Sequence, residues 1–106
     1  MIGAIVKKNK DHYLSFSIEG HAGFARKGKD IVCAAVSILV INTINSIEQF
    51  TNVAFEMEHS EDGYVSWKFT ETTDDRVDLL MDSMILGLQQ IESQNSKFFS
   101  LEIEEV

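Results

Sequence analysis

The stretch that most constrains this fold runs from Ile31 to Ile41, apolar except at Ser37, and becomes amphipathic toward Phe50. At helical spacing it places apolar side chains nearly all round the first turns, so a helix made from it must be covered on more than one side. Asp30 precedes the run and is an acceptable N-cap, which predicts a helix from Asp30 to about Phe50. The apolar run itself is too short to span a bilayer. Its all-round character predicts instead that one side meets a sheet and another meets a second copy of the chain.

The flanking segments supply that sheet. Ile2 to Lys8 is a β-branched run, Asn9-Lys10-Asp11 signals a turn, and Tyr13 to Glu19 alternates with Leu14, Phe16 and Ile18 on one face. A second hairpin joins Val53–Glu58 to Tyr64–Phe69 through Ser60-Glu61-Asp62-Gly63, with Val65, Trp67 and Phe69 on one face. Thr72-Thr73-Asp74-Asp75 caps a second helix, whose apolar stripe is Val77, Leu80, Met81, Met84, Leu88 and Ile91. Ser93-Gln94-Asn95-Ser96 ends it, and Phe98 to Val106 forms the last strand with Phe99, Leu101 and Ile103 alternating. The predicted order is β-β-α-β-β-α-β, an α+β fold with an antiparallel or mixed sheet packed with two helices. No linker or repeat divides the chain, so residues 1–106 read as a single domain, large enough for a hydrophobic core.

Chemistry concentrates at the start of the long helix. Cys33, the one cysteine in the sequence, falls in the predicted first turn, near unpaired backbone N–H groups and the positive end of the helix dipole. That setting favours the nucleophilic thiolate. A loop punctuated by Gly20, Gly23 and Gly28 could fold His21 back onto Cys33 as the base that thiol catalysis requires. Strict alternation puts His21 on the polar face with Ser17 and Glu19, unless Gly20 forms a bulge or marks where the chain leaves the sheet. The segment Gly23–Lys29 reads either as a surface connection or as a lid carrying Arg26, Lys27 and Lys29 toward the site. Asp30 either caps the helix or orients His21. Ser37, one turn beyond Cys33, either serves the site or bonds back to the Cys33 carbonyl, the second being favoured.

Other chemistries fit less well. His12, His21, His59 and Cys33 lack the close spacing of zinc ligands, no cofactor motif is present, and the glycines do not form a phosphate-binding loop. Glu56 and Glu58 read as the solvated face of a strand. The net charge of −8 argues against direct nucleic-acid binding while leaving room for a basic protein partner. A single cysteine cannot form an internal disulfide, and the N-terminal segment lacks the pattern of a signal peptide; both fit a cytoplasmic protein away from membranes.

The wording of the whole segment carries more. Gly20-His21-Ala22, a short glycine-containing loop, then Gly28 and Asp30-Ile31-Val32-Cys33-Ala34-Ala35-Val36-Ser37 closely resemble the signature of the bacterial ribosomal-processing cysteine protease family. The resemblance implies a homodimeric endopeptidase. It would remove the N-terminal extension of a large-subunit ribosomal protein precursor, cutting after a phenylalanine pair, with Cys33 as nucleophile and His21 as base. The alternative is a non-catalytic, ribosome-associated dimeric binding protein in which Cys33 is buried and inert.

Overall fold

The computed structural model describes residues 2–20, 29–60 and 64–106, apart from the side chains of residues 29 and 30. Its elements are β1 (Ile2–Asn9), β2 (His12–Glu19), α1 (Lys29–Phe50), β3 (Phe55–His59), β4 (Val65–Phe69), α2 (Asp75–Gln94) and β5 (Phe99–Glu105). This is the order expected from the sequence. The five strands form one mixed sheet in the order β3-β4-β2-β1-β5, antiparallel except where β5 runs parallel to β1.

Both helices lie over one face of the sheet. Ile2, Val6, Phe16, Trp67 and Phe99 from the strands, Val32, Val36 and Ile47 from α1, and Val77, Met81 and Leu88 from α2 are all fully buried in one core. The Phe16 and Trp67 rings pack at 4.6 Å between centroids. The other face carries Ser15, Ser17, Ser66, Lys68 and Glu102, polar as the period-two pattern requires.

Several expectations shift by a residue or two, each with a local cause. Leu14 was expected beside Phe16 and Ile18, but it is 37% exposed and Tyr13 is buried in its place. The β1–β2 register slips between Lys7 and Lys8, so the alternation changes phase at Leu14. β3 starts at Phe55 rather than Val53, because residues 51–54 close the end of α1: the Thr51 hydroxyl donates to the Ile47 carbonyl at 2.7 Å. The α2 stripe also includes buried Ile85, while Leu80 and Ile91 are only partly buried. β5 starts at Phe99 rather than Phe98, and Ile103, on this outer strand, is 43% exposed.

β2 ends at Glu19, and Gly20, one residue beyond it, has a φ of 82°, in the region that favours glycine; the placement of His21 lies outside the described residues.

The α1 helix extends the expected apolar run. Residues 31–50 have mean hydropathy 1.8 and are long and apolar enough to cross a membrane by length and composition. In this fold 39% of that window is buried, with Val32, Cys33, Val36, Val40, Ile44 and Ile47 packed into the core.

Candidate active site

Helix α1 positions Cys33. The helix begins at Lys29, one residue ahead of the expected cap at Asp30, and Cys33 is its fifth residue. The unpaired N–H groups of a helix start therefore belong to the turn before Cys33, while its own N–H is within reach of the Lys29 carbonyl. The expectation that Cys33 itself lies in the first turn shifts accordingly. Its side chain is 8% exposed.

That residual exposure opens into a cavity of about 340 Å³ between α1 and the β3 side of the sheet. From α1, Cys33, Val36, Ser37, Val40, Ile41 and Ile44 line it; Ile2, Ile18 and Val65 form its floor; Met57, His59 and Ser60 form its outer wall. The lining is almost wholly apolar, and Cys33 is the one thiol in it. Such a cavity can exclude water from around an apolar side chain, with a thiol at its edge.

The other expected site residues fall into three groups. Ser37 is half-buried and lines the same cavity. Among the described residues it makes no bond back to the Cys33 carbonyl, in contrast to Thr43, which donates to Leu39 at 2.8 Å, so the favoured reading of Ser37 is corrected. Gly20 is exposed at the end of β2, with the backbone described above. His21, Gly23, Gly28 and the side chain of Asp30 lie outside the described residues, and the lid reading of the intervening loop lies there too. Among the described residues, no cluster of His, Cys, Asp and Glu has the geometry of a metal site.

Sequence reasoning missed the outer wall. Met57 and His59 belong to a strand whose even residues, Glu56 and Glu58, read as solvated. The same alternation turns its odd residues toward the helices, and that signal was present in the sequence.

Comparison with known proteins places the chain in context. The family described as cysteine protease Prp matches residues 1–100. A ribosomal processing cysteine protease Prp of Bacillus subtilis (strain 168) is 35% identical over 98 residues, covering 87% of this chain and 88% of the relative. One from Staphylococcus aureus is 28% identical over 78 residues, covering 73% of this chain and 74% of its own length. Among solved structures, SMU.848 from Streptococcus mutans superposes with a TM-score of 0.87 at 32% identity, covering all of this chain and 96% of its own. The S. aureus Prp in complex with a substrate peptide gives 0.90 at 24% identity, covering 98% of this chain and 100% of its own; at that identity the likeness carries the fold alone.

Proposed function

This chain belongs to the cysteine protease Prp family, and from that premise we propose that it removes the N-terminal extension of a large-subunit ribosomal protein precursor, with Cys33 as nucleophile and His21 as base. The observation that carries the reading is the shared cavity: the one thiol of the chain opens into an apolar space of about 340 Å³ beside the start of α1. An aromatic side chain next to the scissile bond would be desolvated there. Its burial would hold the adjacent carbonyl against the sulfur.

The chemistry follows from these groups. The Cys33 thiolate attacks the carbonyl carbon, and the His21 imidazolium gives its proton to the leaving amine as the C–N bond breaks. Water then attacks the thioester, losing a proton to His21, and the acid product leaves with the thiolate restored. Unpaired N–H groups at the helix start are available to the oxyanion. Gly20, just past the end of β2, is a supporting residue together with Gly23, Gly28, Asp30 and Ser37.

We also propose that the working form is a homodimer built on α1. Ile31, Ile38 and Ile41 are 74%, 69% and 55% exposed, and they form one side of a helix whose other side is in the core. Sedimentation should show a dimer for the wild type and a monomer for Ile38→Glu. The chain acts in the cytoplasm on a basic protein partner, without direct nucleic-acid contact, consistent with its net charge of −8.

The deciding experiment is incubation with the extended precursor followed by mass analysis. The expected result is a single cut that releases the extension. An uncut precursor bound no more tightly than the trimmed protein would remove this reading.

A further inference from the structure

The cavity beside Cys33 has an unusual outer wall. Met57 and His59 belong to β3, the last strand of the sheet, whose far side meets no other strand among the described residues. Which of its backbone groups are free follows from the ladder. Ser60 donates its N–H to Tyr64 at 2.9 Å and Thr70 donates to Ala54 at 3.0 Å, and between them Glu56 stands opposite Lys68 and Glu58 opposite Ser66. In an antiparallel pair, hydrogen-bonded and non-hydrogen-bonded residues alternate. The even residues therefore turn their N–H and C=O groups toward β4. Phe55, Met57 and His59 turn theirs to the open edge.

Those odd residues also face the helix layer with their side chains, since they stand opposite Phe69, Trp67 and Val65. Met57 is 46% exposed although it lies on the core face of the sheet, because nothing described covers it on the outer side. A strand added here would lie one strand spacing away, about 4.8 Å. Its alternate side chains would point up beside α1, into the space that Cys33 shares. The intervening ones would point down beside Glu56 and Glu58, both exposed.

We propose that the open edge of β3 binds the extended substrate segment as a sixth strand, so that every second side chain enters the Cys33 cavity and the others face Glu56 and Glu58. This deepens the protease reading and rests on it. The occupant is a peptide with basic residues at the downward positions, not a second copy of the chain. Two β3 edges paired together would set Glu56 and Glu58 of one copy against those of the other, in a chain of net charge −8, and like charges across a ladder are destabilising. Main-chain bonds then give affinity and registration, and the cavity gives selectivity.

The test separates this binding mode from the chemistry. Fluorescent ten-residue peptides with Phe-Phe before the scissile bond, each carrying one backbone N-methyl group, are titrated onto the Cys33→Ala protein and offered to the wild type. Edge pairing predicts alternation: Kd and KM rise about tenfold or more at every second residue and change less than twofold between. In the enzyme, Met57→Pro removes an N–H that lies outside the β3–β4 ladder, and edge strands tolerate proline on that side. It should weaken binding at least fivefold, whereas Met57→Leu, which keeps that N–H, should preserve the alternation across the N-methylated peptides. Loss of affinity at no position, or equally at all, overturns the proposal. So does a concentration-dependent dimer that Met57→Pro abolishes, because the edge would then belong to a second copy. Alternating affinity without cleavage by the wild type would sink the protease reading and leave the edge pairing standing.

Discussion

The two helices cover the same sheet in opposite ways. α2 is fastened by polar groups at both ends. Asp74 accepts the Val77 N–H at 2.9 Å, Asp78 accepts the Thr73 hydroxyl at 2.6 Å and lies 3.1 Å from His12 Nδ1, and Tyr13 donates its hydroxyl to Asp82. At the far end, Glu92 accepts the Leu101 N–H of β5 at 2.6 Å. Beneath these ties Val77, Met81, Met84 and Leu88 are fully buried. α1 is held by apolar packing, and the described side-chain hydrogen bonds at it, from Thr43 within it and Thr51 just past its end, close on its own carbonyls. It keeps three isoleucines exposed and a cavity along one flank. A helix fixed by directional bonds has one seat, whereas one held by apolar contact leaves surface for another molecule. α2 is tied to the sheet by side-chain hydrogen bonds, whereas α1 and β3 border the cavity that the proposed function assigns to the substrate.

That division predicts opposite consequences for equally conservative changes. Cys33→Ala should reduce cleavage by on the order of 10³-fold or more, because the nucleophile is gone. It should cost only about 1 kcal/mol of stability, because a thiol at a cavity wall has few neighbours to lose. Leu88→Ala should do the reverse, lowering unfolding free energy by about 2–5 kcal/mol while turnover per folded molecule stays near wild type. Urea unfolding alongside peptide cleavage measures both. Full cleavage by purified Cys33→Ala protein would falsify the assignment of the nucleophile. A Leu88→Ala protein that is fully folded yet inactive would dissolve the division between the helices.

The sequence shows this division unevenly. α2 was legible because the capping run Thr72–Asp75, within which Asp74 is the cap, and the stripe from Val77 through Met81, Met84 and Leu88 are local signals at fixed spacing. The element order was legible for the same reason. Leu14 was misplaced because a register slip between paired strands leaves no mark on either strand alone. The site divides similarly. Cys33 stood out by residue type and by its place at the head of an apolar helix. Met57 and His59 did not, since they join Cys33 only when β3 becomes the sheet edge, and strand order is a long-range property.

A smaller effect tests how firmly the polar end is fastened. Burial and the neighbouring Asp82 push the Tyr13 hydroxyl well above the ordinary tyrosine range. The neutral phenol is therefore the form the fold prefers. Its contribution is complete below the unfolded value of about 10 and is lost as pH rises through the folded value, while the unfolded chain ionises freely. Tyr13→Phe should cost about 1.5–3 kcal/mol at pH 7, the range for a bond to a charged acceptor. It should also remove part of the stability loss that the wild type shows above pH 10. Melting curves across the alkaline range measure this, and identical alkaline profiles would show that the Tyr13–Asp82 bond does not fasten α2.

The smallest expected effect falls where the two helices meet. A Cβ added at Gly87 of α2 would come within 2.6 Å of Leu39 Cδ2 and 3.4 Å of Cδ1, so Gly87→Ala cannot be accommodated without movement. The obstructing atom is the tip of a flexible side chain on α1, the helix whose described side chains make no hydrogen bonds to its neighbours. Rotation of Leu39 relieves the clash, and alanine regains the roughly 0.8–1 kcal/mol that glycine costs inside a helix. The two contributions oppose each other, so the net change should stay within about 1 kcal/mol in either direction. Leu39 does not line the Cys33 cavity, so peptide cleavage should be unaffected. A penalty of about 3 kcal/mol, at the top of the range for overpacking, would mean that α1 is seated as rigidly as α2. Its apolar hold would then leave no more freedom than the bonds that fasten its neighbour, and the contrast between the helices would lie in chemistry alone.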